Sequence, residues 1–117
     1  MIELVTIGEV LWDLFPEGKQ LGGAPFNLCH HAKQLGLNAA SVSRVGTDPL
    51  GEEILKRAEE LGLPLQFIQK DASHPTGTVK VELDEAGKPT FTITENVAWD
   101  FLELSDQLSM ILPDAKF

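Results

Sequence analysis

Residues 39–51 read Ala39-Ala40-Ser41-Val42-Ser43-Arg44-Val45-Gly46-Thr47-Asp48-Pro49-Leu50-Gly51, and their reading decides the fold class. Ala39 to Val45 is a strand by pattern. Asp48 is a natural N-cap and Pro49 a natural first helical residue, so a helix opens there. It runs to about Leu61, with Ile54, Leu55, Ala58 and Leu61 inward. Glu52 with Lys56 and Glu53 with Arg57 form outward pairs four residues apart. Gly62 ends the helix, and Leu65 to Ile68 is a short further strand.

Upstream the same grammar repeats. Glu3 to Val10 reads as a buried strand built on Leu4, Val5 and Ile7, and Leu11 to Phe15 continues it. Asp13 is the one charge in that run, placed either at a ligand-facing sheet edge or turned to solvent. Pro16 to Lys19 is a turn by composition. Leu21-Gly22-Gly23-Ala24-Pro25-Phe26-Asn27 follows, and taken alone it fits a tight turn or a ligand corner equally well. Pro25 to Leu35 fits a helix with Leu28, Cys29, Ala32 and Leu35 on one stripe, closed by Gly36. Strand, helix, strand, helix, strand in succession is the pattern of a parallel α/β sheet with right-handed crossovers.

Downstream the period changes. Thr78 to Leu83 alternates, with Val79, Val81 and Leu83 on one face. Asp84 to Lys88 is a hairpin loop, and Thr90 to Thr94 returns with Phe91 and Ile93 on one face. Such a hairpin is marginal by itself, so it covers a sheet edge, a ligand or a second copy of the chain. Leu104 to Leu112 reads as a helix stopped by Pro113. Ala115 to Phe117 stands where an α/β chain begins another strand, which points to a truncated reading of a longer domain.

Composition narrows the function classes. The chain of 117 residues is 43% hydrophobic and 23% charged, the balance of a soluble globular domain. Its net charge of −9 argues against broad nucleic-acid binding, which needs clustered Lys and Arg. No apolar run approaches a membrane span, and Met1-Ile2-Glu3-Leu4-Val5 lacks the basic start of a signal peptide. The single Cys29 makes no internal disulfide, which fits a reducing cytoplasm.

Several residues with chemical potential have plainer explanations. Gly46-x-Asp48-x-x-Gly51 is not a dinucleotide fingerprint, because a carboxylate stands where backbone must approach pyrophosphate. It reads as a capped helix start. No Gly-x-x-x-x-Gly-Lys-Ser/Thr loop occurs. His30 and His31 are adjacent on a helix and point in different directions, so no metal site is expected. Cys29 reads as a small core residue, and Trp12 and Trp99 as core or interface aromatics.

Taken in order, Asp13, Gly22-Gly23-Ala24-Pro25-x-Asn27, Gly36 and Gly46-x-Asp48-x-x-Gly51 resemble the ribokinase-like (PfkB) carbohydrate kinases, most closely their fructokinase branch. Cys29 departs from the Ala, Ser or Thr usual in that family, a change among small residues. Pro75-Thr76-Gly77-Thr78 is similar to the entry into the family's lid strand, and Glu95 to Asp100 to the segment after it. The resemblance spans essentially the whole chain. It implies the N-terminal portion, residues 1–117, of a three-layer α/β/α fold with a small antiparallel β lid at about 76–100.

The resemblance also implies roles. Asp13 accepts from sugar hydroxyls, Gly22 and Gly23 lie against the sugar, and Asn27 bonds a further hydroxyl. The lid excludes water and often also builds a homodimer contact. The complete enzyme transfers the γ-phosphoryl group of ATP, with Mg²⁺, to a primary hydroxyl of a small sugar, fructose or a relative. The family's Gly-Ala-Gly-Asp run, which carries the base, is absent here, so no catalytic and no cofactor-binding residue is expected in this chain. The other reading is a truncated, non-catalytic sugar-binding or dimerising module. The residues alone point only to a polyol.

Overall fold

A computed structural model describes all residues, Met1–Phe117. Seven strands and three helices form two small sheets with helices packed on them. The first sheet is parallel and three-stranded, ordered β1 (Leu4–Ile7), β4 (Ala39–Gly46), β5 (Ile68–Asp71). The second is mixed and four-stranded, ordered β3 (Gly18–Gly22), β2 (Leu11–Phe15), β6 (Gly77–Leu83), β7 (Pro89–Ile93). In it β2 runs parallel to β6, and the other neighbours are antiparallel.

The expected continuous strand from Glu3 to Phe15 is two strands in different sheets. The chain leaves the first sheet at Gly8, whose amide still donates to Val42 O at 3.1 Å. Gly8 has φ +149° and carries the Pro25 ring against its Cα; a Cβ there would sit 2.7 Å from Pro25 Cγ. The missing side chain therefore lets the chain change sheets and lets α1 (Ala24–Gln34) dock above the break. The next expectation, a turn leading to a glycine corner, also changes. Gly18–Gly22 pairs with Leu11–Phe15 as edge strand β3. Its Lys19 and Gln20 face water, so it offers no apolar alternation to read.

Helix α1 buries Phe26, Cys29 and Ala32. The predicted stripe is right at Cys29 and Ala32 and wrong at Leu28 and Leu35, which are 57% and 86% exposed. Phe26 takes the inner position, at the three-residue spacing that Cys29 and Ala32 continue, while Leu35 lies past the last turn. Gly36 follows at φ +98° and donates to Lys33 O, the left-handed C′ residue expected.

Helix α2 (Pro49–Glu60) begins on the Asp48 cap and buries Gly51, Ile54 and Ala58, with Leu55 and Leu61 half-buried. Its outer charges pair differently from expectation. Glu53 meets Lys19 of β3 at 3.2 Å, and Arg57 meets Glu60 at 4.0 Å. All four are well exposed, so no burial selects one partner over another. The expected strand from Leu65 is a single 3₁₀ turn at Leu65–Phe67 leading into β5.

The core lies on both faces of the parallel sheet. Ala39 and Val45 join Phe26, Cys29, Ile54 and Ala58 on the α1–α2 side. Ala40 and Val42 meet Phe67 and Leu108 on the other. The last helix, α3 (Asp106–Ile111), is shorter than Leu104–Leu112; Ser105 caps it by accepting from Leu108 N at 3.1 Å, and Leu112–Asp114 tightens to 3₁₀ at Pro113. Phe117 N donates to Glu3 O at 3.0 Å and Val5 N to Phe117 O at 2.9 Å. That bond pair frames Leu4 as a parallel ladder does, so the chain resumes strand pairing beside β1.

Candidate functional site

Where the two sheets meet the start of α1 there is a cleft of about 340 Å³. Glu9 and Asp13 are among its polar residues, Gly23 and Ala24 border it at the helix start, and Leu11, Val79, Phe91, Ile93 and Trp99 supply apolar surface. The strand register explains this assembly. Asp13 pairs with Val79 across the parallel β2–β6 ladder, and Val79 pairs with Ile93 across the hairpin. One carboxylate thus stands beside the hairpin's apolar face.

The glycine pair brings backbone to that carboxylate. A Cβ on Gly22 would lie 2.6 Å from Asp13 Oδ2. Gly23 takes φ +107°, and a Cβ on it would lie 2.5 Å from Glu9 O. Any other residue would push the carboxylate or the Glu9 backbone aside. Burial without a charged partner raises the Asp13 pKa above its ordinary value. A half-buried carboxylate against bare backbone is suited to accept from ligand hydroxyls.

Of the four residues expected to face a sugar, Asp13 and Gly23 line the cleft and Gly22 backs Asp13. Asn27 stands one turn along α1, exposed and outside the lining, its N–H donating to Gly23 O at 2.9 Å. Trp99 is half-buried, lines the cleft, and packs on Gly77, where a Cβ would meet its Cδ1 at 2.8 Å. Trp12 remains a core residue whose indole N–H donates to Leu50 O at 3.0 Å. Leu11 carried no sequence signal for the cleft; Trp99 carried one only through the resemblance of Glu95–Asp100 to the segment after the family's lid, and Val79, Phe91 and Ile93 did through their shared face.

The Gly46-x-Asp48-x-x-Gly51 corner is closed by its own side chains. Asp48 accepts from Gly51 N at 2.8 Å, Thr76 N at 2.9 Å and Thr76 Oγ1 at 2.6 Å. Burial opposes ionisation of Asp48, but the Thr76 and Gly51 hydrogen bonds outweigh it and lower its pKa. Gly46 N in turn donates to Thr76 Oγ1 at 2.9 Å. The amides a phosphate would need are already engaged by Asp48 and Thr76. No group of three or more His, Cys, Asp or Glu is placed to hold a metal ion.

The chain belongs to the pfkB family of carbohydrate kinases, whose pattern matches residues 5–117. Its fold is the ribokinase-like mixed α/β fold of fructokinases, of which it covers the N-terminal part. It is 34% identical to a fructokinase of Escherichia coli, over 86% of this chain and 35% of that one. It is 33% identical to an uncharacterized sugar kinase of Pyrococcus horikoshii, over 97% of this chain and 40% of that one; that protein has a solved complex with ATP. The apo fructokinase of Vibrio cholerae superposes with a TM-score of 0.81 at 33% identity, covering 88% of this chain and 38% of its own. A variant of the same enzyme has been solved with fructose, ADP and potassium ion. The chain spans 35–40% of the length of these curated relatives. None of its helices is long and apolar enough to cross a membrane.

Proposed function

We propose that these residues form the sugar-holding portion of an ATP-dependent carbohydrate kinase, with fructose as the preferred sugar. The observation that carries the reading is Asp13: a half-buried carboxylate beside the bare Gly22-Gly23 backbone, facing an apolar cleft. Ionised, it accepts from two adjacent hydroxyls at once. The apolar surface of Leu11, Val79 and Trp99 suits the C–H face of a sugar. Asn27, on the first turn of α1, reaches a further hydroxyl when the cleft is occupied.

Phosphoryl transfer needs a base for the sugar hydroxyl and positive support for the moving phosphate. The Gly-Ala-Gly-Asp run that carries the base in this family is not among these residues. Their part is to bind and orient the sugar, while the β6–β7 hairpin shields it from water. ATP and Mg²⁺ belong to the complete enzyme. A second role is favoured by the same hairpin, whose Leu83, Phe91 and Ile93 are 49%, 60% and 63% exposed: a second copy of the chain covers this face as a homodimer.

Titration calorimetry of the chain with fructose, beside Asp13→Ala, tests the reading. Saturable heat that disappears in the variant supports it; equal heats for both overturn it. ADP formation from ATP and fructose by these residues alone would overturn the non-catalytic role.

A further inference from the structure

Trp99 sits on the short 3₁₀ turn Ala98–Phe101, whose own bonds run between Asp100 and Val97: Asp100 N donates to Val97 O at 3.0 Å and Val97 N to Asp100 Oδ2 at 3.3 Å. Three contacts outside the cleft tie that turn down. The Gln69 side chain, on β5, grips the backbone of Glu103: Nε2 donates to Glu103 O at 2.6 Å, and Oε1 accepts from Glu103 N at 3.1 Å. The His74 ring stacks on Phe101 with centroids 3.7 Å apart and planes 15° from parallel. Ala98 N donates to Pro75 O at 2.7 Å.

Both anchors are themselves fixed from one point. Asp71, 4% exposed, accepts from Arg44 Nε at 2.9 Å, Ser73 N at 2.8 Å and His74 N at 3.0 Å. It also accepts from His74 Nδ1 at 2.9 Å, which places the ring proton on that nitrogen. Arg44 Nη1 donates to Gln69 Oε1 at 3.2 Å and lies 3.8 Å from the Glu103 carboxylate. The ends of β4 and β5 thus hold a planar ring against Phe101 and a planar amide against Glu103, both just after Trp99, while Pro75 O holds Ala98 just before it. None of Arg44, Gln69, Asp71 and His74 lines the cleft.

We propose that Gln69 and His74 are positioning residues for the cleft: together they hold the Ala98–Phe101 turn so that the Trp99 indole forms its apolar wall. The inference rests on the sugar-binding reading of the cleft and adds residues that do not touch it. A side chain held by preformed contacts loses little freedom when a ligand arrives, so releasing the turn weakens binding even with Asp13 and the glycine pair intact.

The experiment pairs fructose calorimetry with acrylamide quenching of tryptophan emission on the full chain. Trp12 is 5% exposed, so the quenchable emission reports Trp99. Gln69→Ala and His74→Ala should each weaken fructose binding by about tenfold and raise quenching. His74→Phe keeps the stack on Phe101 and should restore both readouts to near wild type. Ile54→Val, a destabilising change in the core away from the turn, should lower the melting temperature and move neither. Wild-type affinity and quenching in both alanine variants would overturn the proposal, as would a failure of His74→Phe to rescue. If the wild-type chain shows no saturable heat with fructose, the sugar reading fails, and quenching alone decides whether Gln69 and His74 hold Trp99.

Discussion

The Thr76 hydroxyl donates to Asp48 Oδ1 at 2.6 Å while the Thr76 amide donates to Asp48 Oδ2 at 2.9 Å. One carboxylate therefore caps α2 and pins the residue before β6, 28 positions along the chain. The parallel sheet and the hairpin that overhangs the cleft are joined through this pair. Thr76→Val keeps the shape, removes the hydroxyl, and leaves Gly46 N without its acceptor in a buried place. It should cost about 1–3 kcal/mol in urea unfolding, and Asp48→Ala more, because the helix cap goes as well.

Acid should unfold the chain through two carboxylates. Burial works against ionisation at Asp71, but hydrogen bonds from Ser73, His74 and Arg44, with the Arg44 charge, hold it well below the usual carboxylate range. Asp48 is lowered for like reasons. Both bind protons more weakly folded than unfolded, so their stabilisation is complete above an unfolded pKa of about 3.9 and is lost as pH falls toward the folded values. The melting temperature should hold between about pH 7 and 5 and drop below about pH 4. Asp71→Asn should flatten that acid limb; an unchanged slope would refute the assignment.

Asp13 has the opposite sign. Burial raises its pKa, so ionising it at neutral pH disfavours the folded state. Asp13→Asn should leave the melting temperature at pH 7 unchanged or slightly higher while weakening fructose binding at least about tenfold. Calorimetry and thermal melts on one preparation check both halves. A lower melting temperature would mean that the carboxylate is structural.

Gly23 and Gly36 separate strain from collision. Both have positive φ, +107° and +98°, but only at Gly23 does a Cβ meet backbone, 2.5 Å from Glu9 O, whereas none lies within 4 Å at Gly36. Gly36→Ala should cost about 1 kcal/mol, and Gly23→Ala about 2 kcal/mol or more with loss of fructose binding. Urea unfolding of the two variants side by side gives the comparison; equal costs would show that the backbone at Gly23 yields freely.

Much of this arrangement could be read along the chain. The Asp48-Pro49 start of α2, the Gly36 and Gly62 stops and the alternation of Val79, Val81, Phe91 and Ile93 are local signals, each set by one residue's backbone freedom, cap or period. They give the α/β class, the hairpin and the order in which Asp13 and the glycine pair occur. They cannot show that Glu3–Phe15 breaks between two sheets at Gly8, because that break depends on Pro25 lying over it. Nor can they reveal β3, a polar edge strand that exists by pairing with β2 rather than by its own pattern.

The site divides along the same line. The sugar-facing roles of Asp13, Gly22, Gly23 and Asn27 come from the resemblance to the family; the residues alone leave Asp13 between a ligand-facing edge and solvent. Local order left Leu21–Asn27 open between a turn and a ligand corner. The placement of Trp99 over Gly77, the coupling of Asp48 to Thr76 and the hold of Gln69 on Glu103 join residues 22 to 34 positions apart. Such contacts are selected by packing and by the need to satisfy buried polar groups, and neither leaves a periodic trace in the chain. Only the folded molecule decides which side chains share the cleft.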